Sequence, residues 1–250
     1  MLPRLMAANW KMYKTAAQAR DYAEELCRLL PALPDQREIL VCPPFTAIAA
    51  VAAVFSGKPG FPTGAQNLHP KEEGAFTGEI SPDMIKDAGA RWVLTGHSER
   101  RSIFGESDEL VGVKTAFALA HGLNVVLCIG ETLAQREAGQ LEDVLAQQLA
   151  AGLADVPPSC PPSCLAVAYE PVWAIGTGKV AGPKEILEAH ALARELLCKK
   201  SGMSPELRIL YGGSVKPENA REIIGLDNVD GVLVGGASLR AESFSRIACA

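Results

Sequence analysis

A carboxylate that directly follows a short apolar run and directly precedes a proline is the first group in this chain placed to do chemistry. Residues 165–168 have the length and content of a buried strand, and Tyr169-Glu170-Pro171 comes next. Pro171 fixes its own backbone and restricts Glu170, so the carboxylate leaves the strand in a defined direction. The loop that follows, Val172-Trp173-Ala174-Ile175-Gly176-Thr177-Gly178-Lys179, mixes aliphatics and a Trp with two glycines. Apolar groups in a mobile loop suit a lid that closes on a ligand and excludes water. A base beside a lid is one meaning of this segment, and ordinary Glu-Pro turn chemistry is the other.

Further candidates stand at the ends of other apolar runs. Asn9-Trp10-Lys11 follows 5–8, and Gly96-His97-Ser98-Glu99-Arg100-Arg101 follows 92–95. Gly212-Gly213-Ser214 follows 209–211, and Gly235-Gly236 follows 232–234. Glycines let backbone N–H groups approach a ligand, and helix-like sequence after them places those donors at a helix N-terminus, which favours anions. Each pair alone is consistent with a tight turn; the two together point to a phosphate site. His97 is one of four histidines and opens a segment that begins Ser98-Glu99, a plausible helix start. A helix N-terminus disfavours imidazolium, so a neutral imidazole donor is expected there. His121 and His190 fall in helical patterns and read as structural or exposed. Lys11 offers a fixed positive charge for developing negative charge, or is a solvated lysine. Glu99 suits either a partner for Lys11 or a first-turn helix residue. No His-Glu-x-x-His metal set, dinucleotide or P-loop glycine pattern, or Ser/His/Asp arrangement occurs, so neither a metal nor a cofactor is expected. The kit that remains suits proton abstraction next to a carbonyl on a small phosphorylated substrate.

The elements that must hold these groups read as eight short apolar runs, at 5–8, 39–42, 64–65, 92–95, 125–129, 165–169, 209–211 and 232–234. Helical periodicity fills 16–30, 110–121, 141–153 and 185–199. Strands alternating with helices predict the α/β class, and eight units in 250 residues fit a single-domain (β/α)8 TIM barrel over 1–250. A doubly wound open sheet is the competing architecture. With 48% hydrophobic residues the core is ample, and a net charge of -5 argues against nucleic acid as a partner. No run approaches the roughly 20 apolar residues of a membrane span, and the start lacks the pattern of a signal peptide. Seven scattered cysteines favour a reduced, cytoplasmic protein, with Cys42, Cys128, Cys27 and Cys198 expected to be buried thiols. Cys160 and Cys164 lie in a Pro-rich stretch with no second pair to complete a zinc site. That stretch is expected to be a surface loop at the end of the barrel away from the chemistry. No repeat is apparent beyond the strand–helix rhythm.

Taken in order, several segments resemble triosephosphate isomerases. They are Asn9-Trp10-Lys11-Met12, Cys42-Pro43-Pro44-Phe45-Thr46, Gly64-Ala65-Gln66-Asn67, Gly74-Ala75-Phe76-Thr77-Gly78-Glu79 and 96–101. Cys128-Ile129-Gly130-Glu131-Thr132, the 169–179 lid, Tyr211-Gly212-Gly213-Ser214-Val215 and Val234-Gly235-Gly236-Ala237 complete the set. The resemblance implies cofactor-free interconversion of dihydroxyacetone phosphate and glyceraldehyde 3-phosphate through an enediolate, a step of glycolysis and gluconeogenesis. It implies Glu170 as the base, neutral His97 as the electrophile, and Lys11 and Asn9 on the negative oxygen. Gly176, Ser214, Gly235 and Gly236 would hold the phosphate, while Ser98, Glu99, Pro171 and Trp173 support the site and its lid. It further implies a homodimer in which the 66–79 loop, with Thr77 at its reach, enters the neighbouring subunit, and it moves His69 from chemistry to that interface. The chain departs from many members in having Ala8 before Asn-Trp-Lys, Tyr13, and the Pro/Cys-rich 156–164 stretch. Two alternatives stand beside this one: a metal-dependent phosphate-binding barrel isomerase or epimerase, and an inactive scaffold of the same fold.

Overall fold

Strands buried on both faces do not alternate polar and apolar residues, which is why short apolar runs mark them in this chain. The structure is a computed structural model that describes residues 2–34, 36–175, 181–199 and 203–250. Its first half runs β1 (Arg4–Asn9), α1 (Ala16–Leu29), β2 (Arg37–Cys42), α2 (Ile48–Phe55), β3 (Gly64–Ala65), α3 (Pro82–Asp87), β4 (Trp92–Thr95), α4 (Ser98–Ser102) and α5 (Asp108–Ala120). The second half runs β5 (Asn124–Ile129), α6 (Leu133–Glu137), α7 (Leu141–Gly152), β6 (Leu165–Tyr169), α8 (Pro183–Lys199), β7 (Arg208–Tyr211), α9 (Ala220–Ile224), β8 (Gly231–Val234) and α10 (Ala241–Ala248).

Every strand pair is parallel, in the order β2-β1-β8-β7-β6-β5-β4-β3. The two ends of that order meet. Val41 bridges Thr63 just before β3, and the Val41 N–H donates to the Pro62 carbonyl at 3.2 Å. The sheet is therefore a closed eight-stranded barrel, not an open doubly wound sheet. Closure puts all strand C-termini, with the groups that follow them, on one rim.

Two concentric apolar layers hold the ring. Leu5, Ala7, Leu40, Trp92, Leu94, Val126, Ala166, Leu210 and Leu233 fill its interior. The alternate residues of the same strands, such as Met6, Ile39, Val125, Val167 and Ile209, pack outward beneath the helices. Each such aliphatic contributes about 1.5–3 kcal/mol when fully buried. Hydroxyl caps fix where several helices start. Thr15 forms a capping box with Gln18 at α1, Thr132 does the same with Gln135 at α6, and Ser81 and Ser107 cap α3 and α5.

The N-terminal end of the barrel is plugged by Arg208, a buried side chain from β7. Its guanidinium stacks over the Trp92 ring at 5.1 Å, pairs with Glu38 at 2.7 Å, and donates to the Pro3 and Ser163 carbonyls at 3.4 and 3.3 Å. The strand runs match the sequence expectation closely. Helices α2, α3, α6, α9 and α10 go beyond it; all are eight residues or shorter, too short for a clear helical period. Of the cysteines expected to be buried, Cys42 and Cys128 are buried and Cys27 is half-buried, but Cys198 is exposed. It lies near the end of α8, where the solvent face and the core face alternate every few residues.

His190 is fully buried in α8, with its Nδ1–H donating to the Asn228 carbonyl at 2.9 Å. Burial pushes its pKa down from the ordinary 6.5 to about 4. The unfolded chain therefore binds the extra proton first. The stability contribution is present above pH 6.5 and is lost as the pH falls toward 4, by about 1.4 kcal/mol for each pH unit crossed. Urea unfolding of His190→Asn should show a flatter decline across that window than the parent chain. An equally steep decline would remove His190 as its source.

Candidate active site

The rim carries a cavity of about 350 Å³ lined by Asn9, Lys11, His97, Glu99, Glu170 and the glycine loops after β7 and β8. Asn9, Lys11, His97, Glu99 and Glu170 arrive from strand ends and are fixed by local hydrogen bonding.

Glu170 leaves β6 with its backbone N–H on the Ile129 carbonyl at 2.7 Å, and its side chain is buried. One carboxylate oxygen accepts the Ser98 N–H at 2.9 Å, and the other lies 3.0 Å from His97 Nε2. His97 is itself the N-cap of α4, because its Nδ1 accepts the Glu99 N–H at 3.2 Å. A ring nitrogen that accepts carries no proton, so the proton sits on Nε2 and points at Glu170. The helix start thus selects a neutral imidazole with its donor facing the cavity. Gly96 makes the turn before it at φ +68°, where a Cβ would meet the Cys128 carbonyl at 3.0 Å. Arg101 braces the same turn, donating to the Gly96 carbonyl at 2.7 Å and pairing with Asp108.

Lys11 follows β1 in the left-handed region at φ +53°, an uncommon conformation for a residue with a side chain. Three partners hold it there. Asn9 Oδ1 accepts its N–H at 3.0 Å, Gln66 Nε2 donates to its carbonyl at 2.9 Å, and Glu99 takes its ammonium at 2.6 Å. Asn9 therefore shapes the Lys11 backbone as well as lining the cavity.

The glycine loops close the far wall. Gly212 packs so tightly on Glu170 that a Cβ would lie 2.9 Å from the Glu170 Cγ. After β8, Gly236 opens a short 3-10 turn, and Ser238 donates its N–H and Oγ–H to the Gly235 carbonyl. A helix start was expected behind both glycine pairs. It holds in shortened form after β8, but α9 begins only at Ala220, so the 212–214 amides are loop amides. Ser214, Gly235 and Gly236 all line the cavity, whereas Gly176 lies outside the described residues.

Pro171 starts the 3-10 turn Val172–Ala174, and Trp173 within it is anchored to a residue with no role assigned from sequence. Glu131, fully buried at the end of β5, accepts the Trp173 indole N–H at 2.8 Å and the Tyr169 hydroxyl at 3.0 Å on one oxygen. Its carbonyl takes the Val172 N–H at 3.1 Å. Burial pushes the Glu131 carboxyl up, only partly offset by those donors. Its signal was available: Glu131 follows β5 almost as Glu170 follows β6. A second buried group lies beneath Arg100, where Glu106 pairs with both Arg100 and Lys114, and Lys114 reaches Asn67 at 2.8 Å. Burial pushes Glu106 up, but the Lys114 and Arg100 donors outweigh it and hold the carboxyl below its usual range.

The arrangement brings a carboxylate, a neutral imidazole donor, an ammonium and loop amides to one cavity, which is what proton transfer beside a carbonyl requires. Comparison with known proteins leads to the same chemistry. A family model described as triosephosphate isomerase matches residues 4–250. The triosephosphate isomerase of Nitratidesulfovibrio vulgaris strain Miyazaki F is 63% identical over 248 residues, covering 98% of this chain and 99% of that protein. The triosephosphate isomerase of Oleidesulfovibrio alaskensis is 63% identical over 247 residues, again 98% and 99% of the two chains. The crystal structure of triosephosphate isomerase from Bartonella henselae superposes with a TM-score of 0.88 at 35% identity, covering 98% of each chain.

The His97 geometry has a direct spectroscopic consequence. Nitrogen-15 NMR of the free protein at neutral pH should give His97 a pyrrole-like Nε2 and a pyridine-like Nδ1. The reverse tautomer, or two protonated nitrogens, would contradict the capping assignment.

Proposed function

The chain belongs to the triosephosphate isomerase family, and on that premise we propose the part that each rim residue plays in its reaction. The enzyme interconverts dihydroxyacetone phosphate and glyceraldehyde 3-phosphate, and the 1–250 chain acts as one barrel domain. Glu170 removes a proton from the carbon bearing the hydroxyl of dihydroxyacetone phosphate. The electron pair moves toward the carbonyl, an enediolate forms, and the same carboxyl returns a proton to the neighbouring carbon. His97 donates its Nε2–H to the substrate oxygens as neutral imidazole, the division of labour already known for these isomerases. Lys11 places its ammonium beside the developing oxyanion, with Asn9 next to it. Ser214, Gly235, Gly236 and Gly176 hold the phosphate, and Ser98, Glu99, Pro171 and Trp173 position the base, the ammonium and the lid. No electrons leave the substrate, so the chemistry calls for no redox cofactor.

The observation that carries this reading is the pair of contacts on Glu170, one from the Ser98 N–H and one from His97 Nε2. Base and electrophile are already within reach of each other, and a substrate placed between them exchanges the His97–Glu170 contact for contacts to itself. The lid would then close over the enediolate, whose escape into water invites phosphate elimination. Trp173 must leave Glu131 or carry it along, so the anchor at the lid's base contributes to the closing equilibrium.

A homodimer is the second part of the proposal. Met12 is 94% exposed, Phe104 65% and Tyr13 57%, an apolar rim beside Lys11 of the kind that marks an interface. A further cavity of about 240 Å³ opens there between Met12, Phe45, Gln66, Arg100 and Phe104. The 66–79 loop is internally braced, with the His69 ring 4.3 Å from Phe76 and 3.5 Å from Glu79, and it presents Thr77 outward. In the proposed dimer that loop from a second copy enters this cavity. No helix among the described residues is long and apolar enough to cross a membrane. A cytoplasmic location rests on the scattered, unpaired cysteines.

A coupled isomerase assay with glyceraldehyde 3-phosphate tests the function. Glu170→Gln should lose roughly a hundred- to ten-thousand-fold in kcat while still binding a substrate analogue, the range of a general base. Near-normal turnover would remove Glu170 as the base, and a strong loss of parental activity on adding a chelator would favour the metal-dependent epimerase. Light scattering should report about twice the 26.5 kDa chain mass, with Phe104→Asp weakening association by roughly thirtyfold, the ~2 kcal/mol of a central interface residue. An unchanged dimer in that variant would place the interface elsewhere.

A further inference from the structure

The loop between α7 and β6 contains a repeat that strand and helix periodicity passes over. Pro157-Pro158-Ser159-Cys160 is followed at once by Pro161-Pro162-Ser163-Cys164. Each tetrapeptide closes the same turn. The Cys160 N–H donates to the Pro157 carbonyl at 2.9 Å, and the Cys164 N–H donates to the Pro161 carbonyl at 2.9 Å. Proline fixes φ, so two consecutive Pro-Pro turns are stiff and place each thiol at the same point of its turn.

Both cysteines line one cavity of about 330 Å³ together with Leu119, Leu123 and Asn124. The thiols are half-buried, while the serines and Pro157, Pro158 and Pro161 around them are exposed. The shared cavity and the two equivalent turns set the thiols side by side in the loop, and burial pushes the Cys160 thiol up, with a smaller contribution from Cys164. The loop is tied to the barrel floor, with the Cys164 carbonyl accepting from Val125 at 2.8 Å and the Ser163 carbonyl from Arg208 at 3.3 Å. It precedes β6, whereas Glu170 follows it, so the pair sits at the opposite end of the barrel from the reaction. Among the described residues no group of three metal-ligating side chains occurs, which leaves a two-thiol site and not a zinc site.

We propose that Cys160 and Cys164 form a reversible dithiol–disulfide pair whose oxidant is a low-molecular-weight disulfide of the glutathione type. The thiolate of one cysteine attacks the small disulfide, releasing one small thiol and leaving a mixed disulfide on the protein. The thiolate of the other cysteine attacks the protein-side sulfur, releases the second small thiol and closes the Cys160–Cys164 bond. Two protein thiols give up two electrons and two protons, and the small disulfide accepts both. A reduced resting state with transient oxidation is the form that disulfides take in reducing compartments.

The test exposes the full-length reduced enzyme to oxidised glutathione at mildly alkaline pH, followed by intact-mass analysis and peptide mapping. Expected is a species lighter by two hydrogens, with a mapped Cys160–Cys164 bond that dithiothreitol reverses and with kcat/KM unchanged within about twofold. Cys160→Ser and Cys164→Ser should each keep a stable glutathione adduct on the remaining thiol, and their normal turnover would report intact folding. Exposed Cys198 and Cys249 serve as internal controls for the oxidant. Stable adducts on Cys160 or Cys164 of the parent chain without an internal bond would overturn the proposal. So would unreacted Cys160 and Cys164 beside modified Cys198 and Cys249.

Discussion

The hydrogen bond from the Glu99 N–H to His97 Nδ1 decides more about this site than its size suggests. It starts α4, and in doing so it fixes the imidazole tautomer, aims Nε2 into the cavity and presents the next amide, Ser98, to Glu170. A five-residue helix therefore positions both the His97 ring and the Glu170 carboxylate. The backbone that carries the His97 ring also sets which of its nitrogens accepts. Lys11 is organised on the same logic. Its left-handed backbone is held from both sides by Asn9 and Gln66, and its ammonium by Glu99, the residue whose amide caps His97.

Beneath this arrangement lie charges that would be costly if left alone. An unpaired ion in a protein interior is penalised by several kcal/mol, so buried carboxylates need dedicated partners. Glu131 finds Tyr169 and Trp173 for one of its oxygens, which makes the end of β6 and the 3-10 turn after it its hydrogen-bond donors. Glu106 meets the requirement with Lys114 and Arg100, and so joins α5 to the loop after β4. Packing of this kind ties together segments that have to stay in register.

How far the sequence discloses this architecture depends on the physical signal each part leaves. Parallel strands buried on both faces leave unbroken apolar runs, so all eight strand positions, down to the two-residue β3, are readable. Functional groups at strand ends inherit that legibility, which is why Glu170, His97, Lys11 and the glycine pairs stand out. Short helices leave almost nothing: α4 is five residues of Ser-Glu-Arg-Arg-Ser, whose start shows only through its capping pattern. Cys198 is exposed against expectation because an apolar neighbourhood in sequence does not say which helix face a residue occupies. Glu131 shows a position after β5 like that of Glu170 after β6, but its burial, like that of Glu106, is recognisable only by partners from distant segments such as Trp173 and Lys114. The Pro-Pro-Ser-Cys repeat escapes notice for the opposite reason, since its period of four is shorter than any strand–helix unit.

Arg208 under the barrel floor has a consequence for how the whole vessel works. With its guanidinium wedged across Trp92, Glu38 and the Pro3 and Ser163 carbonyls, it seals the packed barrel core at the end opposite the cavity. Side chains such as Leu40, Leu94 and Leu210 fill the space between that floor and the rim, so the cavity is built from the strand ends and the loops after them.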